Sequence, residues 1–307
     1  MLVTLAGGVG AARFLRGLVG VVPRSDVVAI GNTGDDDEFH GLHVSPDLDT
    51  VTYTLAGAVH PEQGWGLANE TFNTMDALER YGRETWFRLG DRDLATHLYR
   101  TQRLHDGAPL HQITAEIARS WDIGITLLPM SDDRVRTRVI TPTAELRMQE
   151  WFVRDRTEPP VVRVEFDGIG SATPAPGVID AIAAADTIVI CPSNPIISIG
   201  PILGVPGVRD ALRARRERVV GVSPIIAGKP LKGPADRLMS PLGIEVSCVG
   251  VAEAYADVCA TLVIDSNDAA LAPRVAQLGV RPVVTDTVMR DARVAAALAR
   301  YTLDAVA

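Results

Sequence analysis

The chain opens with a combination that narrows its fold at once. An apolar run, Leu2–Leu5, leads into Ala6-Gly7-Gly8-Val9-Gly10, and apolar residues spaced by three and four lead out from Ala11 to Val19. That order reads as a buried strand, a tight turn and an amphipathic helix, the opening unit of a parallel sheet covered by helices. The glycines let the backbone approach an anion, and the helix behind them offers unpaired N–H groups and the positive end of its dipole. A second apolar run, Val27–Ile30, ends in Gly31-Asn32-Thr33-Gly34-Asp35-Asp36-Asp37, with Pro46-Asp47-Leu48-Asp49-Thr50 close behind. A phosphate cradle beside crowded carboxylates points to Mg²⁺-assisted chemistry on a phosphorylated substrate.

The same alternation continues down the chain. Further strands are expected at Val161–Phe166, Thr187–Cys191, Arg218–Val222, Glu245–Val249, Thr261–Ile264 and Pro282–Thr285. Helices are expected at Asp47–Ala58, Val178–Ala184, Val208–Arg215, Ala252–Cys259 and Asp291–Leu303. Residues 64–156 break this rhythm. They hold all four tryptophans and read as three helices, Asn69–Tyr81, Asp91–Leu104 and Leu110–Trp121, before a hairpin of Val135–Thr141 with Glu145–Val153. The expected fold is α/β, a Rossmann-like, mostly parallel, doubly wound sheet built from residues 1–63 and 157–307. Residues 64–156 then form a mainly helical insertion after the second strand, a cap over the substrate cleft.

With 307 residues, 47% of them hydrophobic, the chain can bury a large core. Its formal net charge is −8 and no stretch concentrates Lys and Arg, which argues against nucleic acid as a partner but not against a nucleotide. No apolar run approaches the roughly 20 residues that span a bilayer, and Gly7-Gly8 cut the first one too short for a signal peptide. Cys191, Cys248 and Cys259 are odd in number and far apart, as buried free thiols in a reducing cytoplasm would be.

Gly7-Gly8-Val9-Gly10 is neither the spaced dinucleotide fingerprint nor a phosphate loop with its trailing Lys-Ser/Thr. Asn32 stands where a ribose-binding acid would close the second strand, which disfavours a nicotinamide dehydrogenase. In the acidic loop Asp36, Asp37 and Glu38 read as a solvated turn, and Asp47 as a helix cap. Asp35 and Asp49 fall at the carboxyl edge of the sheet, where ligands of open α/β folds collect; they are the candidates for metal ligand or proton acceptor. Pro192-Ser193-Asn194-Pro195, after the strongest strand, makes a rigid ligand loop. Lys229 and Lys232 sit in a Gly/Pro-rich turn at another strand end, an arrangement suited to a diphosphate. Trp86-Phe87-Arg88 suits either an ordinary core or a flat heteroaromatic ligand, and residue chemistry alone leaves both open.

Taken in order, LAGGVGAARFLRGL, GNTGDDDEFHGLHVSPDLDTVTYTLAG, WFRLGDRDLATHLYRT, PSNPIISIGPIL and VGVSPIIAGKPLKGPADRLM resemble the CofD family. That family includes 2-phospho-L-lactate transferases of archaea and phosphoenolpyruvate transferases of actinobacteria. The resemblance, spread over residues 5–239, implies transfer of a phospho-acyl unit from a guanosine diphosphate conjugate to a deazaflavin. The acceptor would be the ribityl hydroxyl of 7,8-didemethyl-8-hydroxy-5-deazariboflavin, GMP would leave, and the step would belong to coenzyme F-420 biosynthesis. It also implies Mg²⁺ as cofactor, small-molecule substrates as partners and a homodimer, while the cysteine pattern gives the expected location as cytoplasmic.

On that resemblance Asp49, Thr50 and Arg88 contact the deazaflavin, while Ser193, Asn194, Lys229 and Lys232 line a guanine nucleotide pocket. Asp35 and Asp49 hold the Mg²⁺ and are the catalytic acids, and Asn32 with the Gly8–Gly10 amides holds phosphate oxygens. The Ala-, Arg- and Val-rich, Lys-poor composition leans toward the enolpyruvyl donor of the actinobacterial type. The competing expectation is a non-enzymatic, nucleotide- or sugar-nucleotide-binding regulatory protein of a related branch. The segments Pro46–Thr50 and Trp86–Asp93 favour the transferase.

Overall fold

The structure is a computed structural model that describes residues 1–306. The chain forms β1 (Leu2–Ala6), α1 (Gly8–Leu18), β2 (Val27–Gly31), a hairpin of β3 (Asp37–Phe39) and β4 (Leu42–Val44), and α2 (Pro46–Leu55). Next come α3 (Asn73–Arg80), α4 (Asp93–His105), α5 (Leu110–Ser120), β5 (Thr126–Pro129), β6 (Arg136–Ile140), β7 (Glu145–Arg147) and β8 (Arg163–Asp167). They are followed by α6 (Val178–Ala184), β9 (Thr187–Ile190), α7 (Gly200–Gly204), α8 (Val208–Ala214) and β10 (Val219–Val222). The last part holds the short pair β11 (Ile225–Ile226) and β12 (Lys229–Pro230), α9 (Ala235–Met239), α10 (Cys248–Tyr255), β13 (Thr261–Asp265), α11 (Ala272–Gln277), β14 (Arg281–Thr285) and α12 (Ala292–Asp304).

Seven strands make one parallel sheet in the order β5-β2-β1-β9-β10-β13-β14. Chain order runs outward in one direction from β1 and in the other from β9, so the winding reverses between these two strands. The connections leaving them diverge to opposite faces and open a crevice beyond the carboxyl ends, the ligand position of doubly wound sheets. Alternation along each strand feeds two apolar layers. Val3, Leu5, Ile188 and Ile190 join the layer with residues of α6, α8 and α10. Leu2, Ala6, Val189 and Cys191 join the layer with α1, α2 and α12. Gly17 lets α1 and α12 touch, since a Cβ there would lie 2.3 Å from the Ala295 backbone.

The expected α/β architecture is present, with differences that have local causes. Thr126–Pro129 pairs with β2 at the edge of the main sheet, so residues 64–156 are not wholly an insertion. Four residues are too few for periodicity to mark them as a strand. Val161–Phe166 does hold a strand, β8, but it runs antiparallel to β6 in a separate sheet of order β7-β6-β8. Its alternating exposed and half-buried residues suit a one-sided sheet. Glu245–Val249 is not a strand. Ser247 Oγ accepts from the Val249 and Gly250 amides and starts α10 there, so the helix expected at Ala252–Cys259 begins earlier and ends at Tyr255. The β3–β4 hairpin, turned by His40 (φ 54°) and Gly41 (φ 80°), replaces the open loop expected around Asp37. Among the described residues no helix is long and apolar enough to cross a membrane.

Candidate active site

Loops leave the carboxyl ends of β1, β2, β9 and β10, and each carries residues singled out from the sequence. Asp47 ties the first two loops to α2. Its Oδ1 accepts from the Gly8 amide at 2.8 Å and its Oδ2 from Asn32 Nδ2 at 2.8 Å. Asn32 Nδ2 also donates to the Ile197 carbonyl at 3.2 Å, and its Oδ1 accepts from the Gly34 amide at 2.8 Å. Both ends of this fully buried side chain are therefore engaged, and Asn32 builds the crevice wall. Asp47 is not the cap of α2 that its place in the sequence suggests, since Ser45 holds the N-cap position; its carboxylate instead sits at the N-terminus of α1, where an anion would sit. Burial pushes its pKa up to about 6, against the hydrogen bonds from Asn32 and Gly8.

Gly8 takes a φ of 68° and gives its amide to Asp47. Gly10 serves by shape, because a Cβ there would lie 2.1 Å from the Pro192 carbonyl oxygen. As first-turn groups, the Val9 and Gly10 amides have no acceptor within α1. Ser193 Oγ accepts from the Gly7 amide at 3.4 Å. Asn194 Oδ1 accepts from the Ile196 and Ile197 amides at 2.9 and 3.4 Å, capping the π-helical turn Pro195–Ile199, while its Nδ2 is buried without a partner.

The acidic loop is not the solvated turn that its composition suggests. Asp36 Oδ2 accepts from Ser45 Oγ at 2.6 Å and lies 3.1 Å from His43 Nε2. Asp37 pairs with Arg136 at 3.1 Å and Arg147 at 3.0 Å, tying the loop to the β7-β6-β8 sheet. Pairing of Asp37 with Val44 in the hairpin makes this burial regular. Only Glu38 stays largely in water, with 61% of its side chain exposed. Among the described residues Asp35 has no ion-pair partner. Burial first, then the Asp47 charge, push its pKa well above the ordinary carboxylate value, with Thr137 opposing. Its Oδ1 is buried and accepts no hydrogen bond.

Asp49, in the first turn of α2, has different neighbours. Its Oδ1 accepts from the Arg100 guanidinium of α4, and its Oδ2 lies 3.8 Å from His97 Nδ1 without a hydrogen bond. His97 Nε2 is 3.3 Å from Asp93 Oδ2, and Asp93 Oδ1 accepts from the Tyr53 hydroxyl at 2.6 Å. Burial raises the Asp49 pKa, while Arg100 and His97 pull it back down. Burial, reinforced by Asp49 and Asp93, pushes the Tyr53 hydroxyl up. Thr50, the next residue of α2, is buried as well. The sequence reading missed His97 and Arg100. The available signal was their spacing from Asp93, four and then three residues along one helix face. Among the described residues no three His, Cys, Asp or Glu side chains converge as a metal cluster.

The lysines lie on another side of the glycine turn. Lys229 is exposed on the β11–β12 hairpin, whose Ala227 amide donates to both Asp268 oxygens at 3.1 Å. Lys232 Nζ donates to the carbonyls of Glu62 and Gln63 at 3.2 and 3.0 Å, and desolvation with the nearby Arg13 lowers its pKa. The strap it grips also touches the glycine turn, since a Cβ on Gly64 would lie 2.8 Å from Val9 Cγ1.

Arg88 is engaged within the insertion, pairing with Asp76 at 2.5 Å and Glu79 at 3.4 Å and lying 5.0 Å over the Phe72 ring. Its neighbours Trp86 and Phe87 gather on Phe39, Phe87 stacked at 3.9 Å and Trp86 edge-on at 5.6 Å. These three rings line a cavity of about 340 Å³ together with His40, Arg83 and Arg147. Arg147 also lines a smaller hollow formed by Asp35, Asp36 and Asp37, so the aromatic cavity adjoins the acidic loop.

Fold and site together define a class: a doubly wound α/β protein that carries a glycine turn, buried acids and a lysine loop at the carboxyl edge of its parallel sheet. The chain belongs to the 2-phospho-L-lactate transferase CofD family, whose model matches residues 2–302. It is 44% identical to a phosphoenolpyruvate transferase of Streptomyces griseus over 99% of this chain and 97% of that one. Identity to the protein of the same name from Thermobifida fusca is 48%, over 87% of each chain. For that of Mycobacterium marinum it is 47%, over 86% of each. A solved structure of a UPF0052 family member from Bacillus halodurans matches with a TM-score of 0.66 at 17% identity, covering 97% of this chain and 98% of that one, a likeness of fold.

Proposed function

We propose that this protein transfers a phosphoenolpyruvyl group from a guanosine diphosphate conjugate to the ribityl hydroxyl of 7,8-didemethyl-8-hydroxy-5-deazariboflavin, releasing GMP, in coenzyme F-420 biosynthesis. The observation that carries the reading is the meeting of the glycine turn, the unpaired buried Asp35 and the lysine loop at one sheet edge, in a chain of this family. Identities of 44% and 48% to proteins named phosphoenolpyruvate transferases support the enolpyruvyl donor over the lactyl one.

Mg²⁺ fits the donor set. Asp35 Oδ1, Asp36 Oδ1 and Asp49 Oδ2 are buried carboxylate oxygens without hydrogen bonds, the ligand type a hard cation takes alongside water and substrate phosphates. Asp35 and its neighbour Asp36 would hold the ion, which supplies charge neutralisation for the diphosphate, because Asp49 has a single free oxygen and the acceptor hydroxyl needs it. The Val9 and Gly10 amides of α1 bind phosphate oxygens, Gly8 being engaged by Asp47, and Lys229 and Lys232 offset the charge gathering on departing GMP. Ser193 and the free Asn194 Nδ2 line the nucleotide side. The flat deazaflavin ring lies against Phe39, Trp86 and Phe87, with Arg83 and Arg147 for its polar edge. As the acceptor oxygen bonds to phosphorus and the bond to GMP breaks, the free oxygen of Asp49 orients the hydroxyl and takes its proton.

The test is incubation of the protein with the deazaflavin, Mg²⁺ and each guanylylated donor, read by mass spectrometry. The expected result is an enolpyruvyl phosphodiester plus GMP. Product from the lactyl donor alone overturns the donor assignment, and no phosphodiester from either overturns the transferase reading.

A further inference from the structure

Between α2 and α4 the molecule gathers a set of ionisable side chains around Asp49. Asp93, His97 and Arg100 on one face of α4 meet Asp49 and Tyr53 on α2. We propose that Arg100 and His97 are positioning residues, a clamp that fixes Asp49 through one carboxylate oxygen and keeps the other free for the reacting groups. The proposal rests on the transferase reading above.

A buried guanidinium is costly unless paired, and Asp49 is the one ion-pair partner of Arg100 among the described residues. Arginine frequently engages a carboxylate with both arms of its fork. Arg100 does not. Its Nη2 meets Asp49 Oδ1, while its Nη1 turns away to His97 Nδ1 at 3.3 Å and the His43 carbonyl at 3.4 Å. Asp49 Oδ2 is left buried with no hydrogen bond, a state that normally costs free energy and marks an atom reserved for something else. His97 Nδ1, which lies 3.3 Å from Arg100 Nη1 and so braces the guanidinium, stands 3.8 Å from that oxygen and leaves it unsatisfied. Its other nitrogen faces Asp93, which Tyr53 holds in turn. The contacts of Arg100 also reach the acidic loop, because the ring of His43 lies 3.1 Å from Asp36 Oδ2. One arginine thereby sets the spacing between the α2 acid and the β2 loop.

The test combines Arg100→Lys with a double-mutant cycle. Lysine keeps the charge and loses the fork. It should fold with a melting temperature near wild type, lower kcat by about tenfold or more, and leave both KM values within about twofold. In the cycle, Arg100→Met placed on Asp49→Asn should lower turnover no further than Asp49→Asn alone, since a clamp acts only through what it holds. If Arg100→Met fails to fold alone, the double variant still serves, because it leaves no buried unpaired charge. Wild-type kcat in Arg100→Lys, or losses that multiply in the double variant, overturn the clamp. Absence of product from the wild-type protein overturns the transferase reading and the clamp with it, and so is told apart from failure of the clamp alone.

Discussion

Asp35 and Asp49 are both nearly shut off from water, yet the protein handles them in opposite ways. Asp35 sits among acids: burial first, then Asp47 and Asp36, raise its pKa, and among the described residues no cation lies within pairing distance. Asp49 sits on an arginine. A buried carboxylate without a counter-charge holds its proton or waits for an external cation, whereas one with a built-in guanidinium is ready to be ionised. The crevice thus contains one acid that lacks a counter-charge and one that brings its own. That difference gives each position its own signature under substitution.

The largest effects come from neutralising each in turn. Asp49→Asn should lower turnover by about two orders of magnitude or more, the range typical of lost metal or acid–base assistance. It also strands Arg100 in the interior, at a cost on the order of 3 kcal/mol, so the melting temperature should fall clearly. Asp35→Asn should damage turnover comparably but raise the melting temperature of the metal-free protein, because it removes a desolvated charge. Calorimetry and turnover on the two variants check this. Melting temperatures that move in the same direction break the contrast.

Next in size is the pH dependence. The Asp47 pKa is raised from 3.8 to about 6, and that of Asp35 is raised well above its ordinary value, both through burial first. Across that window the native state binds more protons than the unfolded chain, so stability falls as pH rises. The penalty is absent below the unfolded value of 3.8, and the Asp47 share is complete above about 6. A cation beside the carboxylates favours their ionised form, so added Mg²⁺ should flatten the decline. Asp47→Asn should remove part of it without Mg²⁺. A melting temperature that rises between pH 4 and 6 in the metal-free protein runs against the assignment.

How much of this was legible in the sequence depends on the kind of residue. The loops after β1, β2, β9 and β10 announced themselves because glycines, prolines and acids follow apolar runs directly, and strand ends of a parallel sheet share one edge. Asp35 and Asp49 were singled out in that way. What the sequence hid was partnership across elements. Asp37 looked solvated because Arg136 and Arg147 lie about a hundred residues on, beyond four helices. Arg100 looked like one more charge on an amphipathic helix. The β5 strand was too short to show a period, and Glu245–Val249 has the composition of a strand until Ser247 caps it into a helix.

A smaller effect separates the substrates. Lys229→Ala should weaken GDP binding by about tenfold, the scale of one lost charge-assisted contact, and leave deazaflavin binding unchanged in calorimetry. Lys232→Ala should act less directly, since Lys232 already grips the Glu62 and Gln63 carbonyls and its loss frees the strap over the glycine turn. Equal losses for both substrates would mean that the lysines and Asp49 do not serve different sides of the crevice.

The smallest effect is expected at Arg88, where resemblance and geometry part. Resemblance places Arg88 at the deazaflavin, but its guanidinium is held by Asp76 and Glu79 and laid over Phe72, on a half-exposed surface of the insertion. Its neighbours Trp86 and Phe87 are the ones that line the aromatic cavity, with Arg83 and Arg147 at its edge. Arg88→Ala removes ion pairs of the kind that contribute about 1 kcal/mol or less at a surface, and should change the acceptor KM by no more than about twofold. Trp86→Ala strips a wall from the cavity and should raise that KM by about tenfold, with the donor KM unmoved. If the two variants trade places, Arg88 must leave Asp76 and Glu79 when the acceptor binds. The cation at the ring would then be Arg88 and not Arg147, and the acceptor side would need its own rearrangement before Asp49 could meet the hydroxyl.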